Sequence, residues 1–123
     1  MRPRITVKRT DSFMEALLMN GSQEVGHFTL SLGSTYSLGI GIEQEYQGQG
    51  YSIQLIQALF RQLEIPLDKK LYIDADASDG FWNYLGLIDN PLYDFTEEQS
   101  ELEGAGYEKY IVFEKLLNKI NEK

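Results

Sequence analysis

An α+β fold built on one mixed sheet is predicted by three features of the sequence. Apolar residues alternate at period two from Ile5 to Ile42, the period changes to that of a helix between Ile53 and Leu63, and a short apolar run, Leu71-Tyr72-Ile73, follows. A strand-helix-strand order makes the two strands parallel neighbours, because the helix carries the chain back to the same end of the sheet. The earlier strands are separated by tight turns and read as an antiparallel meander. The expectation is a mixed α/β sheet of about six or seven strands.

Each element has its own signal. Ile5 and Val7 alternate before a break at Thr10-Asp11, and Phe13 to Met19 is the second run. Asn20-Gly21 marks a hairpin, after which Phe28, Leu30 and Leu32 alternate with His27, Thr29 and Ser31. Gly33-Ser34 supplies the next turn. Tyr36, Leu38, Ile40 and Ile42 then alternate with Ser37, Gly39 and Gly41, which leaves one face nearly bare of side chain and open to something lying on it. Ile53, Ile56, Leu59, Phe60 and Leu63 form one helical stripe, ended by Pro66. A second helix is expected from Asp79 to Leu85, closed by Gly86. Residues 89–106 are acidic and turn-rich, and mobility is expected there. Tyr107 to Glu114 reads as a closing strand, and Lys115 to Lys123 as a short charged helix or frayed tail.

Composition bounds the function. A chain of 123 residues, 42% hydrophobic and 12% aromatic, supports one core, so a single domain over 1–123 is expected. The net charge of −8 repels polyphosphate backbones, which argues against nucleic-acid binding and suits a basic binding partner more than an acidic one. With no cysteine there is no disulfide framework, no thiolate zinc site and no thiol nucleophile. The basic start Met1-Arg2-Pro3-Arg4 is not followed by an apolar signal core, and no stretch reaches membrane-spanning length. A cytoplasmic protein that makes no membrane contact is the expectation.

The stretch that carries chemistry runs from Ile40 to Ser52, a strand entering a glycine-containing loop that opens a helix. The first turn of a helix has unpaired N–H groups, the macrodipole adds positive charge, and glycine allows close approach of the main chain, so the junction suits a pyrophosphate. A Walker loop would need a lysine after its last glycine, where this chain has Tyr51-Ser52. A dinucleotide fingerprint would need three spaced glycines after a parallel strand, and here only Gly48 and Gly50 follow an antiparallel one.

Gln47-Gly48-Gln49-Gly50-Tyr51-Ser52 resembles the Gln/Arg-x-x-Gly-x-Gly/Ala motif at the head of the central helix in acyltransferases of the GNAT superfamily, with Ser52 in place of the last small residue. Phe81-Trp82-Asn83-Tyr84-Leu85-Gly86-Leu87 resembles the family's Phe-Tyr-x-x-x-Gly-Phe segment, and Tyr107 to Leu116 its closing strand. The resemblance spans roughly residues 24–116 and implies a GNAT-like fold with an antiparallel meander and a strand-helix-strand unit that binds coenzyme A. It implies direct transfer of an acetyl group from acetyl-CoA to a primary amine in a ternary complex. The acceptor would be a small-molecule amine or a protein or peptide amine, and no metal takes part. The main chain at Ile40 and Ile42 would meet the pantetheine and acyl carbonyl, and the amides of Gln47, Gly48, Gln49, Gly50, Tyr51 and Ser52 would hold the pyrophosphate. Trp82 would lie beside the cofactor at the position where many members have a tyrosine acid, although an indole N–H is not a useful acid. Tyr84 is the substitute acid, turned about 200° round the helix from Trp82.

Carboxylates at strand ends, namely Glu43, Glu45, Asp74 and Asp76, are candidates for the base that frees the amine lone pair. Glu43 is preferred, because alternation places it on the face of Gly41. Thr10-Asp11-Ser12 leaves no room for the two helices that the family places after its first strand, which favours an open acceptor side or a homodimer. A rival reading is a non-catalytic module of the same fold that binds acyl-CoA or a protein partner. His27, the only histidine, reads as a partly exposed strand residue. Asp74 to Gly80 starts like a calcium loop, but Leu85 stands where a bidentate glutamate is needed. Glu97 to Glu103 reads as a solvated loop.

Overall fold

Strand β1 (Arg4–Thr10) turns directly into β2 (Phe13–Asn20), and the pair is antiparallel in one register from Arg4↔Met19 to Thr10↔Phe13. The turn is only Asp11-Ser12, and the Thr10 hydroxyl donates to the Phe13 carbonyl at 3.3 Å. No helix intervenes, as the sequence expects. This computed structural model describes residues 3–33, 35–73, 79–90 and 107–121. The remaining elements are β3 (Gln23–Leu32), β4 (Tyr36–Ile42), α1 (Tyr51–Phe60), β5 (Lys70–Ile73), α2 (Asp79–Leu85), β6 (Ile88–Asp89), β7 (Lys109–Val112) and α3 (Phe113–Ile120). Strand order is β1-β2-β3-β4-β5-β7-β6 in one mixed sheet. The expected α+β class and antiparallel meander are therefore present. The chain divides into two compact units, Met1–Gly33 with Leu38–Glu64, and Ser34–Ser37 with Ile65–Lys123.

In the first unit, Gly21 takes the left-handed conformation (φ 65°) that the β2–β3 turn requires. Glu43 N–H donates to Val25 O, Gly41 faces His27, and Thr29 Oγ1 donates to Gly39 O; the residue numbers fall on one side as they rise on the other, so β3 and β4 are antiparallel. Ile5, Val7, Met14, Ala16, Leu18, Phe28 and Leu30 share one face through the strand register. Helix α1 lies across β1, β2 and β3 and buries Leu55, Ile56, Leu59 and Phe60. Phe28 meets Phe60 edge-on at 6.0 Å, and burial of each such side chain contributes about 1.5–3 kcal/mol. The helix stops at Phe60, earlier than its apolar stripe suggests. Its last turn tightens, with Gln62 N–H on Leu59 O at 3.1 Å, before the constraint of Pro66 on the preceding residue is reached.

In the second unit, Tyr36↔Leu71 and Ser37↔Tyr72 pair in parallel, and β5 and β7 pair antiparallel from Lys70↔Val112 to Ile73↔Lys109. β6 adds a short antiparallel strand through Ile88↔Tyr110 and Asp89↔Lys109, at the start of the segment expected to be turn-rich from Asp89. Gly86 at φ 99° closes α2, with Gly86 N–H on Asn83 O and Leu87 N–H on Trp82 O, both 3.1 Å. That double closure is the Schellman pattern, which explains glycine at the predicted cap. The expected strand over 107–114 ends early, at Val112, and α3 begins at Phe113. The amides of Phe113 and Glu114 donate to the carbonyls of Lys69 and Leu67 at 2.8 and 3.0 Å, so a distant turn supplies the cap. Phe113, Leu116 and Ile120 are buried at helical spacing, which makes α3 a packed element instead of a tail. Residues 91–106, and with them Glu97 to Glu103, lie outside the described residues.

Candidate functional site

Beyond β4 the chain reaches α1 through a loop held by its own glutamines. Glu43 remains extended, with φ −57° and ψ 143°, and a single 3-10 turn, Gln44–Tyr46, follows. The side-chain amide of Gln47 donates back to Ile42 O at 2.9 Å, and that of Gln49 to Glu45 O at 3.0 Å. Asn20 Nδ2 donates to the Tyr46 hydroxyl at 2.7 Å, and the rings of Tyr46 and Tyr51 are 6.3 Å apart. Gln47 and Gln49 thus shape the loop with their side chains, which leaves the main chain to meet a ligand.

Gly48 and Gly50 both have positive φ, 77° and 83°, where any other residue would cost about 1–2 kcal/mol. A β-carbon at either would find no atom within 4 Å, so conformation and not crowding selects glycine, and the space above the loop is open. Gly50 caps α1 without a side-chain hydrogen bond, and no acidic residue occupies the first turn. The first main-chain bond of the helix runs from Gln54 N–H to Gly50 O at 3.2 Å, so the amides of Tyr51, Ser52 and Ile53 have no acceptor within the helix. Together with the helix dipole this arrangement suits an anion such as a phosphate group.

Ile40 and Ile42 stand on the α1 side of β4; the Ile42 side chain comes within 3.2 Å of where a β-carbon at Gly26 would stand. The opposite face of β4 is not the bare surface expected from Gly39 and Gly41. Thr29 Oγ1 and His27 Cε1 lean over these glycines, each so close that a β-carbon would come to 2.8 Å. Both glycines therefore make room for side chains of β3. Glu43 is exposed, two residues beyond Gly41, with its N–H on Val25 O at 2.9 Å.

The structure brings Ile40, Ile42, Glu43 and Gln47 to Ser52 together in the first unit, whereas Trp82 and Tyr84 belong to α2 in the second. Trp82 is fully enclosed at 0% exposure beside Phe81, and Tyr84 is 63% exposed with Lys119 Nζ 4.6 Å above its ring. The two side chains point apart, as their spacing requires. Asp74 and Asp76, and the calcium-loop opening as far as Ser78, lie outside the described residues; among the described residues no metal-ligating cluster occurs. An open groove of about 370 Å³ lies elsewhere, between β1 and α1, lined by Ile5, Val7, Gln54, Gln57, Ala58, Arg61 and Gln62, and none of the expected site residues borders it.

Sequence reading missed the pairing of His27 with Glu24, 3.6 Å apart. Its signal was Val25-Gly26, a glycine inside a strand pattern whose apolar phase shifts between Val25 and Phe28.

No protein-family model matches the chain, and no curated protein matches it in sequence. Solved structures do match. A chimera of the spermidine N-acetyltransferase SpeG of Vibrio cholerae and hSSAT superposes with a TM-score of 0.52 at 18% identity, over 88% of this chain and 71% of that one. The ribosomal-protein-S18-alanine N-acetyltransferase of Escherichia coli superposes with a TM-score of 0.52 at 18% identity, over 85% and 68%. The chain therefore has the fold of the GNAT acetyltransferases.

Proposed function

We propose, from a chain that carries the GNAT acetyltransferase fold, that this protein transfers an acetyl group from acetyl-CoA to a primary amine. One observation carries the reading: the β4–α1 loop ends in a helix head with no side-chain cap, behind two left-handed glycines and beneath open space. A resident carboxylate in that first turn would compete with a phosphate, and none is there.

In this reading the amides from Gln47 to Ser52 hold the diphosphate of the cofactor, and main-chain groups at Ile40 and Ile42 orient its thioester arm. The bound thioester supplies an activated acyl carbon. Hydrogen bonds from β4 main chain to its carbonyl oxygen would stabilise the charge that develops there. Holding donor and acceptor together replaces an encounter in solution by a positioned pair. Glu43, exposed at the strand end, attracts the cationic form of the amine, from which a proton must leave before the lone pair can react. A thiolate whose conjugate acid titrates at about 8.5 departs without a strong acid, so the phenol of Tyr84 is a dispensable donor. The acceptor is a small amine or a peptide amine, and the chain's acidity, −8 overall, favours a basic one.

Thiol release from acetyl-CoA tests the proposal with polyamines, amino sugars, lysine peptides and protein N-termini as acceptors. Turnover with any of them supports it. Tight coenzyme A binding without turnover on any acceptor would instead establish a non-catalytic binding module of the same fold.

A further inference from the structure

β3 holds one more residue than β2 at a single point. Leu18 stands opposite Gly26 and Met19 opposite Glu24, which makes Val25 an extra residue. In a regular strand, residues three apart face opposite ways. The bulge shifts that parity, so Glu24 and His27 emerge on one face, that of Met19 and Leu17. Glu24 Oε2 lies 3.6 Å from His27 Nδ1, longer than a hydrogen bond and close enough to pair once the ring is charged. The imidazole covers Gly41: a β-carbon there would lie 2.8 Å from Cε1 and 3.2 Å from Nε2. Both side chains remain accessible, 42% and 50% exposed. A histidine backed by a carboxylate thus lies against the strand proposed to hold the acyl group, two residues before Glu43.

From this juxtaposition we infer that His27 takes the proton of the acceptor amine and that Glu24 positions its ring, an inference that rests on the N-acetyltransferase reading. An ammonium held at Glu43 gives one proton to Nε2 of neutral His27, whose Nδ1–H faces Glu24. The freed lone pair forms the C–N bond at the thioester carbon, and the C–S bond breaks with its electron pair on sulfur. The second proton lost by nitrogen ends on that sulfur. Water then takes the proton from His27, so one ammonium and one acyl thioester yield one amide, one thiol and one released proton.

The test measures thiol release and coenzyme A affinity on wild type, His27→Gln, His27→Ala and Glu24→Gln, using the best amine of the panel. His27→Gln is expected to lose about 100-fold or more in kcat, with KM for acetyl-CoA and coenzyme A affinity within about threefold of wild type. Glu24→Gln is expected to lose about tenfold in kcat alone. Added imidazole should restore part of the activity of His27→Ala, which leaves space for it in a chain with no second histidine, and none to Glu24→Gln, which keeps its own ring. If His27→Gln turns over within about threefold of wild type, the inference fails and the acetyltransferase reading stands. If wild type binds coenzyme A but releases no thiol with any amine, both fail. Should His27→Gln lose coenzyme A affinity, Glu24→Gln decides: a kcat loss at intact affinity sustains the inference, and wild-type kcat reduces His27 to a packing residue.

Discussion

The side-chain amide of Gln47 donates to the main-chain carbonyl of Ile42 at 2.9 Å, tying the exit of β4 to the approach of α1. The bond sits on the surface and contributes about 0.5–1.5 kcal/mol to loop order. Gln47→Ala is therefore expected to leave thermal unfolding nearly unchanged and to weaken coenzyme A about three- to tenfold in a calorimetric titration. Unchanged affinity would mean that the loop keeps its shape without this bond.

Gly41→Ala places a methyl 2.8 Å from the imidazole of His27. The ring is the far end of a half-exposed side chain and can swing outward, so stability should fall by only about 1 kcal/mol in a denaturant titration. Loss of kcat should match that of His27→Gln. Full activity in Gly41→Ala would show that the position of the ring does not matter.

Trp82 is enclosed, and Trp82→Ala should destabilise the protein by about 3–5 kcal/mol. Trp82→Phe preserves much of the apolar contact. It should bind coenzyme A with the affinity of wild type, whereas a specific loss of affinity in a stably folded Trp82→Phe would restore the indole to the cofactor site.

Tyr84→Phe removes the exposed phenol on α2 and keeps the ring beneath Lys119. With departure of the thiolate unassisted, kcat should stay within about threefold of wild type in the thiol-release assay. A fall of about a hundredfold would make Tyr84 the acid.

Much of the fold was legible because its signals are local. The alternation through Phe28, Leu30 and Leu32 requires only neighbours in sequence, and so does the left-handed glycine at Gly86. The start of α3 was not legible, since the carbonyls that cap Phe113 and Glu114 belong to Lys69 and Leu67, more than forty residues away. The loop of the candidate site could be read from Gln47 to Ser52, whereas the tie from Gln47 back to Ile42 could not. The facing of Glu24 and His27 depends on the extra residue Val25, and a count by twos places these side chains on opposite faces. Gly39 and Gly41 gave the right strand and the wrong occupant, because bareness in one strand does not reveal which neighbour leans over it.

The central claim is that the main chain from Gln47 to Ser52 holds a diphosphate, and calorimetric titration of coenzyme A into wild type and Gly50→Val tests it most directly. Wild type should bind in the micromolar range, about −8 kcal/mol, and Gly50→Val should bind at least about tenfold more weakly, because valine at a φ of 83° strains the loop and obstructs close approach. Equal affinity in the two proteins, or no heat of binding to wild type at millimolar coenzyme A, would contradict it.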